Sequence, residues 1–301
     1  MIITRRTLLA TGISAPLAST LGRISRSASL PMGMYTITFD GLSRSYILYV
    51  PNTAPPPSGY PVILGFAGYT ETAALFAEQC LFPTMPKASG YVQIYPQGVQ
   101  DSWNCGNGWF GYAGTNKIDD LGFVQAVLTE VGNTVAIDKT KVYATGISLG
   151  GEFSAYLACK YPQQIAAICQ VSCAFQGAIV NPGLPMPVML IKGTMDPESP
   201  IAGGGTTNAP PFAALENFWQ TANATKGTMI QTLFNGLVTE TIFTGGSAQT
   251  AAYVVTGMGH QWPVAGDGTD YIPSGIYVGP PCPSPVNLNS NIINFFSANH
   301  R

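Results

Sequence analysis

Lys141-Val-Tyr-Ala-Thr-Gly146-Ile-Ser148-Leu-Gly150-Gly151, followed by a helical pattern that runs to Tyr161, is the stretch on which the reading of the whole chain turns. Its first half is a short β-rich run; its second half has helical spacing; between them stands Gly-x-Ser-x-Gly. In a chain with 34 glycines the pentapeptide alone says little, because an idle serine in a Gly-rich turn would look the same. A strand before it and a helix after it give it meaning. Glycines at 146 and 150 lack a β-carbon, which lets the chain make the sharp turn that lifts Ser148 above a sheet edge and lets strand and helix pack closely.

Outward from this unit, similar apolar runs recur at 45–50, 61–66, 91–95, 166–172, 188–192 and 252–256, bounded by Gly, Pro and Asn. Helical periods occupy 120–131, 151–161, 212–224 and 289–297. This alternation predicts an α/β fold with a mostly parallel central sheet and helices on both faces. The Pro-, Ser- and Gly-rich segment 51–59 suits a surface turn rather than a crossover helix, so the first strands should run antiparallel. No internal repeat or second composition block is present, and residues 31–301 read as one domain. Long loops fall at 97–116, 201–211 and 261–285, where function tends to sit.

A serine hydroxyl is a weak nucleophile until a neighbouring base takes its proton. The chain has two histidines, and His300 is the penultimate residue. His260, in Thr256-Gly-Met-Gly-His260-Gln-Trp-Pro263 directly after the last strong strand, is therefore the candidate base. An acid that orients the imidazole should lie at another strand end, between serine and histidine in chain order. Asp196 in Lys192-Gly-Thr-Met-Asp196-Pro-Glu-Ser-Pro meets that condition, and Glu198 is the fallback. The bland alternatives are a structural histidine for His260 and a turn-capping carboxylate for Asp196.

Only 9% of residues are charged and the net charge is −2, with Lys and Arg scattered, so there is no footprint for nucleic acid or an anionic membrane, and a neutral substrate is favoured. The N-terminus, Thr4-Arg5-Arg6-Thr-Leu-Leu9 and an apolar run to Leu21, reads as an export signal over 1–30 of the bacterial twin-arginine kind, with cleavage after Ala18 or Ala28. A secreted or periplasmic protein with no membrane attachment after signal removal is expected. Six cysteines in an exported chain allow up to three disulfides, and their spacing does not suit a metal site, so no metal is expected.

The order Ser148, Asp196, His260 is that of the α/β-hydrolases. At these residues the chain resembles extracellular polyhydroxybutyrate depolymerases and feruloyl or acetylxylan esterases, which are α/β-hydrolases. The resemblance is carried by Arg44-Ser-Tyr-Ile-Leu-Tyr-Val-Pro51, Tyr95-Pro-Gln-Gly98, Ser102-Trp-Asn104, Asp119-Asp-Leu-Gly-Phe123, Val142 to Gly151, Gly193-Thr-Met-Asp196 and Gly259-His-Gln-Trp-Pro263. It implies a carboxylic-ester hydrolase without cofactor, acting on a neutral ester or polyester through Ser148, His260 and Asp196. An oxyanion hole is expected from the backbone N–H groups of Leu149 and Tyr69. Two departures stand out: Ala67-Gly-Tyr69 where the family usually has His-Gly, and Lys192-Gly-Thr where it often has His-Gly-Thr.

Gly106-Asn-Gly108-Trp-Phe-Gly111 matches a dinucleotide-binding pattern but follows a turn rather than a strand, which excludes that reading. Trp103, Trp109, Phe110, Tyr112 and Trp262, all in loops expected near the triad, suggest a flat substrate cleft with the three tryptophans as substrate contacts; packing of a long loop onto the body is the equal alternative. Asp119 and Asp120 are expected to cap the helix that follows them. Two other functions fit the sequence: a peptidase or acyltransferase using the same triad, and a catalytically silent polymer-binding protein on the same fold. Oligomeric state leaves no trace in the sequence.

Overall fold

A computed structural model describes residues 32–106, 108, 110–265 and 278–301. Ten strands form one sheet in the order β1-β2-β4-β3-β5-β6-β7-β10-β9-β8. They are β1 (Gly33–Phe39), β2 (Leu42–Tyr49), β3 (Tyr60–Phe66), β4 (Val92–Pro96), β5 (Ile137–Ile147), β6 (Ala167–Val171), β7 (Val188–Gly193), β8 (Gly227–Leu233), β9 (Val238–Thr244) and β10 (Thr250–Val255). The helices are α1 (Ala73–Cys80), α2 (Gly111–Thr115), α3 (Asp120–Gly132), α4 (Leu149–Lys160), α5 (Phe212–Ala222) and α6 (Asn289–Ser297). Strands β4, β3, β5, β6, β7 and β10 are parallel, and antiparallel pairs flank them at both edges. This is the predicted α/β architecture.

Strand alternation divides the core between the two faces. Val62, Leu64 and Phe66 of β3 join the cluster that contains Phe123 of α3, Phe153 of α4 and Trp219 of α5. Ile63 points the other way, into the cluster of Phe76 from α1 and Phe296 from α6. Both faces are therefore covered, as near-continuous apolar strands require. The expected antiparallel start is present, although β2 pairs with β1 and β4 rather than with β3.

Five elements lie outside the periodicity read from the sequence: β1, α1, α2, β8 and β9. Strand β8 is exposed along almost all its length, so burial imposed no pattern on it. Asp119 caps α3 as expected, its side chain accepting from Gly122 N at 2.8 Å. Asp120 does more than cap. It is buried, paired with Arg44 Nη2 at 2.7 Å, and accepts from Asn104 N, which ties β2 and the 97–116 loop to α3.

Parallel strands place their carboxyl ends along one rim. Ser148 follows β5, Asp196 follows β7 and His260 follows β10, so three segments far apart in sequence open on the same edge of the sheet.

Candidate active site

Ser148 sits at φ 54° and ψ −126°, a backbone conformation an L-residue adopts at a cost of about 1–3 kcal/mol. The turn is held by Ser148 N donating to Val171 O at 2.8 Å and by the start of α4, where Glu152 N donates to Ser148 O. Gly150 shows why the motif needs glycine. A β-carbon there would lie 2.1 Å from Phe66 O and 2.4 Å from Ala67 O, so any side chain would push α4 off β3.

His260 is placed by its backbone. Gly259 N donates to Pro280 O and His260 N to Val278 O, while Met195 N donates to Met258 O, so the loops after β7 and β10 are laced together. Gly193 permits that approach, since a β-carbon on it would come within 2.1 Å of Met258 O. The result is a buried contact of 2.9 Å between His260 Nδ1 and Asp196 Oδ2. The other oxygen, Asp196 Oδ1, accepts from Glu198 N at 2.9 Å and Ser199 N at 3.0 Å. Glu198, the fallback acid, thus contributes its amide, and the imidazole meets Asp196.

Lys192 completes this group. Its side chain is 1% exposed, and Nζ lies 2.8 Å from Asp196 Oδ2 and 2.5 Å from Ser199 Oγ. Burial on its own would raise the Asp196 carboxyl, but the charges and hydrogen bonds of His260 and Lys192 hold it well below the usual carboxylate range. Asp196 therefore stays ionised at any working pH.

Ser148 and His260 line one cavity of about 160 Å³, together with Tyr69, Leu149, Glu71 and Glu152. Two of these are buried carboxyls. Glu71 Oε2 accepts from Gly68 N at 2.9 Å, and Thr70 N donates to Asp101 O, so the amides on both sides of Tyr69 are committed to holding the loop. Burial raises the Glu71 carboxyl. The Tyr69 ring meets Phe110 edge-on at 4.7 Å, both partly exposed at the cavity mouth. Leu149 N belongs to the first residue of α4, where helix geometry leaves N–H groups without an intrahelical partner.

Residues 44–209, more than half the chain, match the family described as Esterase PHB depolymerase. The chain belongs to this family. Feruloyl esterase C of Emericella nidulans is 25% identical to it over 168 residues, which is 54% of this chain and 58% of that protein. The chain spans about half the length of the curated relatives it matches first. Among solved structures it is similar to a thermostable esterase (TM-score 0.60, 15% identity, 90% of this chain and 63% of that one). It is also similar to an acetyl xylan esterase from Aspergillus awamori (TM-score 0.55, 18% identity, 79% of this chain and 97% of that one). These two likenesses establish the α/β-hydrolase fold of the chain.

The cleft of tryptophans needs correction. Trp103 is 1% exposed, stacked on Phe153 at 4.8 Å, with Nε1 donating to Ala67 O. Trp262 is fully buried between Phe76 and Phe82, its Nε1 donating to Asn289 Oδ1. Each indole finds an N–H acceptor inside the core, so packing wins over substrate contact. Trp109 lies outside the described residues, as does the expected export segment 1–30.

All six cysteines, for which up to three bridges were expected, are buried, and Cys80, Cys105, Cys159, Cys169 and Cys173 are free thiols. They pack as small apolar groups with weak contacts, Cys105 Sγ toward Leu149 O and Cys173 Sγ toward Ser148 O. Among the described residues no group of three His, Cys, Asp or Glu is placed to hold a metal ion, and no helix is long and apolar enough to cross a membrane.

Lys192, Glu71 and Glu152 escaped the search for a triad. Lys192 carried a signal as a departure from the family pattern. The two glutamates carried none, because only the fold reveals that they are buried beside Ser148.

Proposed function

We propose that this chain is a secreted serine hydrolase of carboxylic esters, with Ser148 as nucleophile, His260 as general base and acid, and Asp196 as the group that orients His260. The observation that carries the reading is the convergence of a strained Ser148 and a buried His260–Asp196 pair on one cavity at the carboxyl edge of the sheet.

In this reading Ser148 Oγ attacks the ester carbonyl while His260 accepts its proton through the ring nitrogen not engaged by Asp196. The tetrahedral oxyanion is held by the Leu149 and Tyr69 N–H groups. The proton then passes from His260 to the departing alkoxide, which leaves as the alcohol. Water, deprotonated by His260, attacks the acyl-Ser148 ester and releases the acid. Asp196 stays anionic throughout and stabilises the transient imidazolium. Polyester of the hydroxyalkanoate kind, or acetyl and phenolic esters of the plant wall, are the substrate classes the family membership supports.

The test is hydrolysis of p-nitrophenyl acetate and butyrate, methyl ferulate and polyhydroxybutyrate film by the mature chain, beside Ser148→Ala. Turnover that falls by about 10⁴-fold or more in the variant supports the reading. Equal inertness of both proteins on every ester would overturn it and leave a polymer-binding role.

A further inference from the structure

Glu152 lies one helical turn beyond Ser148 on α4 and lines the same cavity. It is 2% exposed. Its Oε1 accepts from Ala174 N at 3.0 Å. Its Oε2 is buried and, among the described residues, has no hydrogen-bond partner. A buried polar atom left in this way costs about 1–3 kcal/mol, so an unsatisfied group beside a nucleophile calls for a ligand atom.

We propose that Glu152 is a specificity-determining residue of this site, donating a hydrogen bond from Oε2 to an acceptor oxygen carried on the acyl chain of the ester. The favoured substrates are acyl groups with an oxo, alkoxy or hydroxyl oxygen, or the next ester carbonyl of a polyester, a few bonds from the scissile carbonyl. This rests on the esterase reading above and adds to it which acyl chains the cavity selects.

The protonation state fits a donor. Burial pushes the carboxyl up to about 8, against the opposing pull of the Ala174 amide, Lys192 and the Gln176 amide. The remaining titratable neighbours do not favour its ionisation. Cys105 and Cys173 have their thiols raised by burial in the first place, with Glu152 a further cause, and Glu71 is raised by burial across the same cavity. Lys192 is engaged with Asp196, which in turn meets His260. At neutral pH Glu152 carries its proton, and since Oε1 already accepts from an amide, Oε2 is the donor.

The experiment compares kcat/KM for isosteric pairs of p-nitrophenyl esters: 4-oxopentanoate against 4-methylpentanoate, and 3-methoxybutanoate against 3-methylpentanoate. These acyl groups cannot donate, so only an enzyme donor separates the members of a pair. The wild-type chain is expected to prefer the oxygen-bearing member of at least one pair, by about tenfold. That preference should collapse in Glu152→Leu and fade in wild type as pH rises through about 8. Glu152→Gln, whose amide donates at every pH, should keep the preference on both sides of that point. A wild-type ratio near one in both pairs, or one that neither pH nor Glu152→Leu moves, overturns the proposal while leaving the esterase reading intact. If Glu152→Leu fails to fold, the wild-type and Glu152→Gln pH series decide the matter. Absence of turnover on all esters overturns both.

Discussion

Lys192 Nζ reaches Asp196 Oδ2 at 2.8 Å, the same oxygen that His260 Nδ1 occupies at 2.9 Å. One carboxylate oxygen thus serves both a buried lysine and an imidazole. Removing Lys192 leaves a buried carboxylate without its ammonium partner, and breaking a buried pair in this way typically costs about 3–5 kcal/mol. Lys192→Met is expected to lower urea-denaturation stability by that order. It should also reduce kcat by about tenfold to a hundredfold as Asp196 and His260 lose their fixed geometry.

Asp196→Asn is the sharper probe. The amide can still accept from Glu198 N and Ser199 N through one atom. Its NH₂ would then face both Lys192 Nζ and His260 Nδ1, opposing donor to donor or forcing the wrong tautomer. Turnover should fall by about 10⁴-fold, with stability reduced as well. Single-turnover kinetics and thermal melts on one preparation check both parts.

The acid limb of stability follows from the same group. The Asp196 carboxyl is depressed in the folded chain, so its contribution is present above the unfolded carboxylate pKa of about 3.9 and is lost as pH falls through the lower folded value. Lys192→Met should move the midpoint of acid unfolding to higher pH, measured by far-UV circular dichroism.

Glu152 has the opposite sign. Its folded value of about 8 lies above its unfolded one, so its contribution is full at low pH and is lost as pH rises through about 8. Unfolding free energy should decline between roughly pH 4.5 and 8, and Glu152→Gln should flatten that decline in urea titrations.

Gly150→Ala brings a methyl to 2.1 Å from Phe66 O, whereas Gly90→Ala meets nothing within 4 Å. The first is expected to destabilise by about 1–3 kcal/mol or more and to lose activity through a displaced Ser148; the second should be nearly neutral in both.

Much of this was visible in the sequence, for reasons tied to particular residues. Ser148 announced itself because strand, Gly-x-Ser-x-Gly and helix must coincide, and His260 because hardly any other histidine existed to compete. Asp196 followed from chain order. The tryptophans misled, since a loop position does not say which way a ring turns, and both Trp103 and Trp262 found N–H acceptors inward. Strand β8 was silent because an exposed antiparallel edge imposes little apolar alternation, and β9 because one of its buried positions is the charged Glu240. Glu71 and Glu152 became meaningful only once folding carried them beside Ser148. Lys192 was legible as an oddity, but its partner lay four residues on, in a loop whose shape no periodicity encodes.

The five free thiols Cys80, Cys105, Cys159, Cys169 and Cys173 carry a consequence for how the chain is made. With no sulfur–sulfur bond among these five thiols, the native state needs no oxidant, no disulfide isomerase and no particular redox compartment to set them in place. The same fold should mature equally well in reducing and oxidising surroundings, and its melting curve should be indifferent to dithiothreitol.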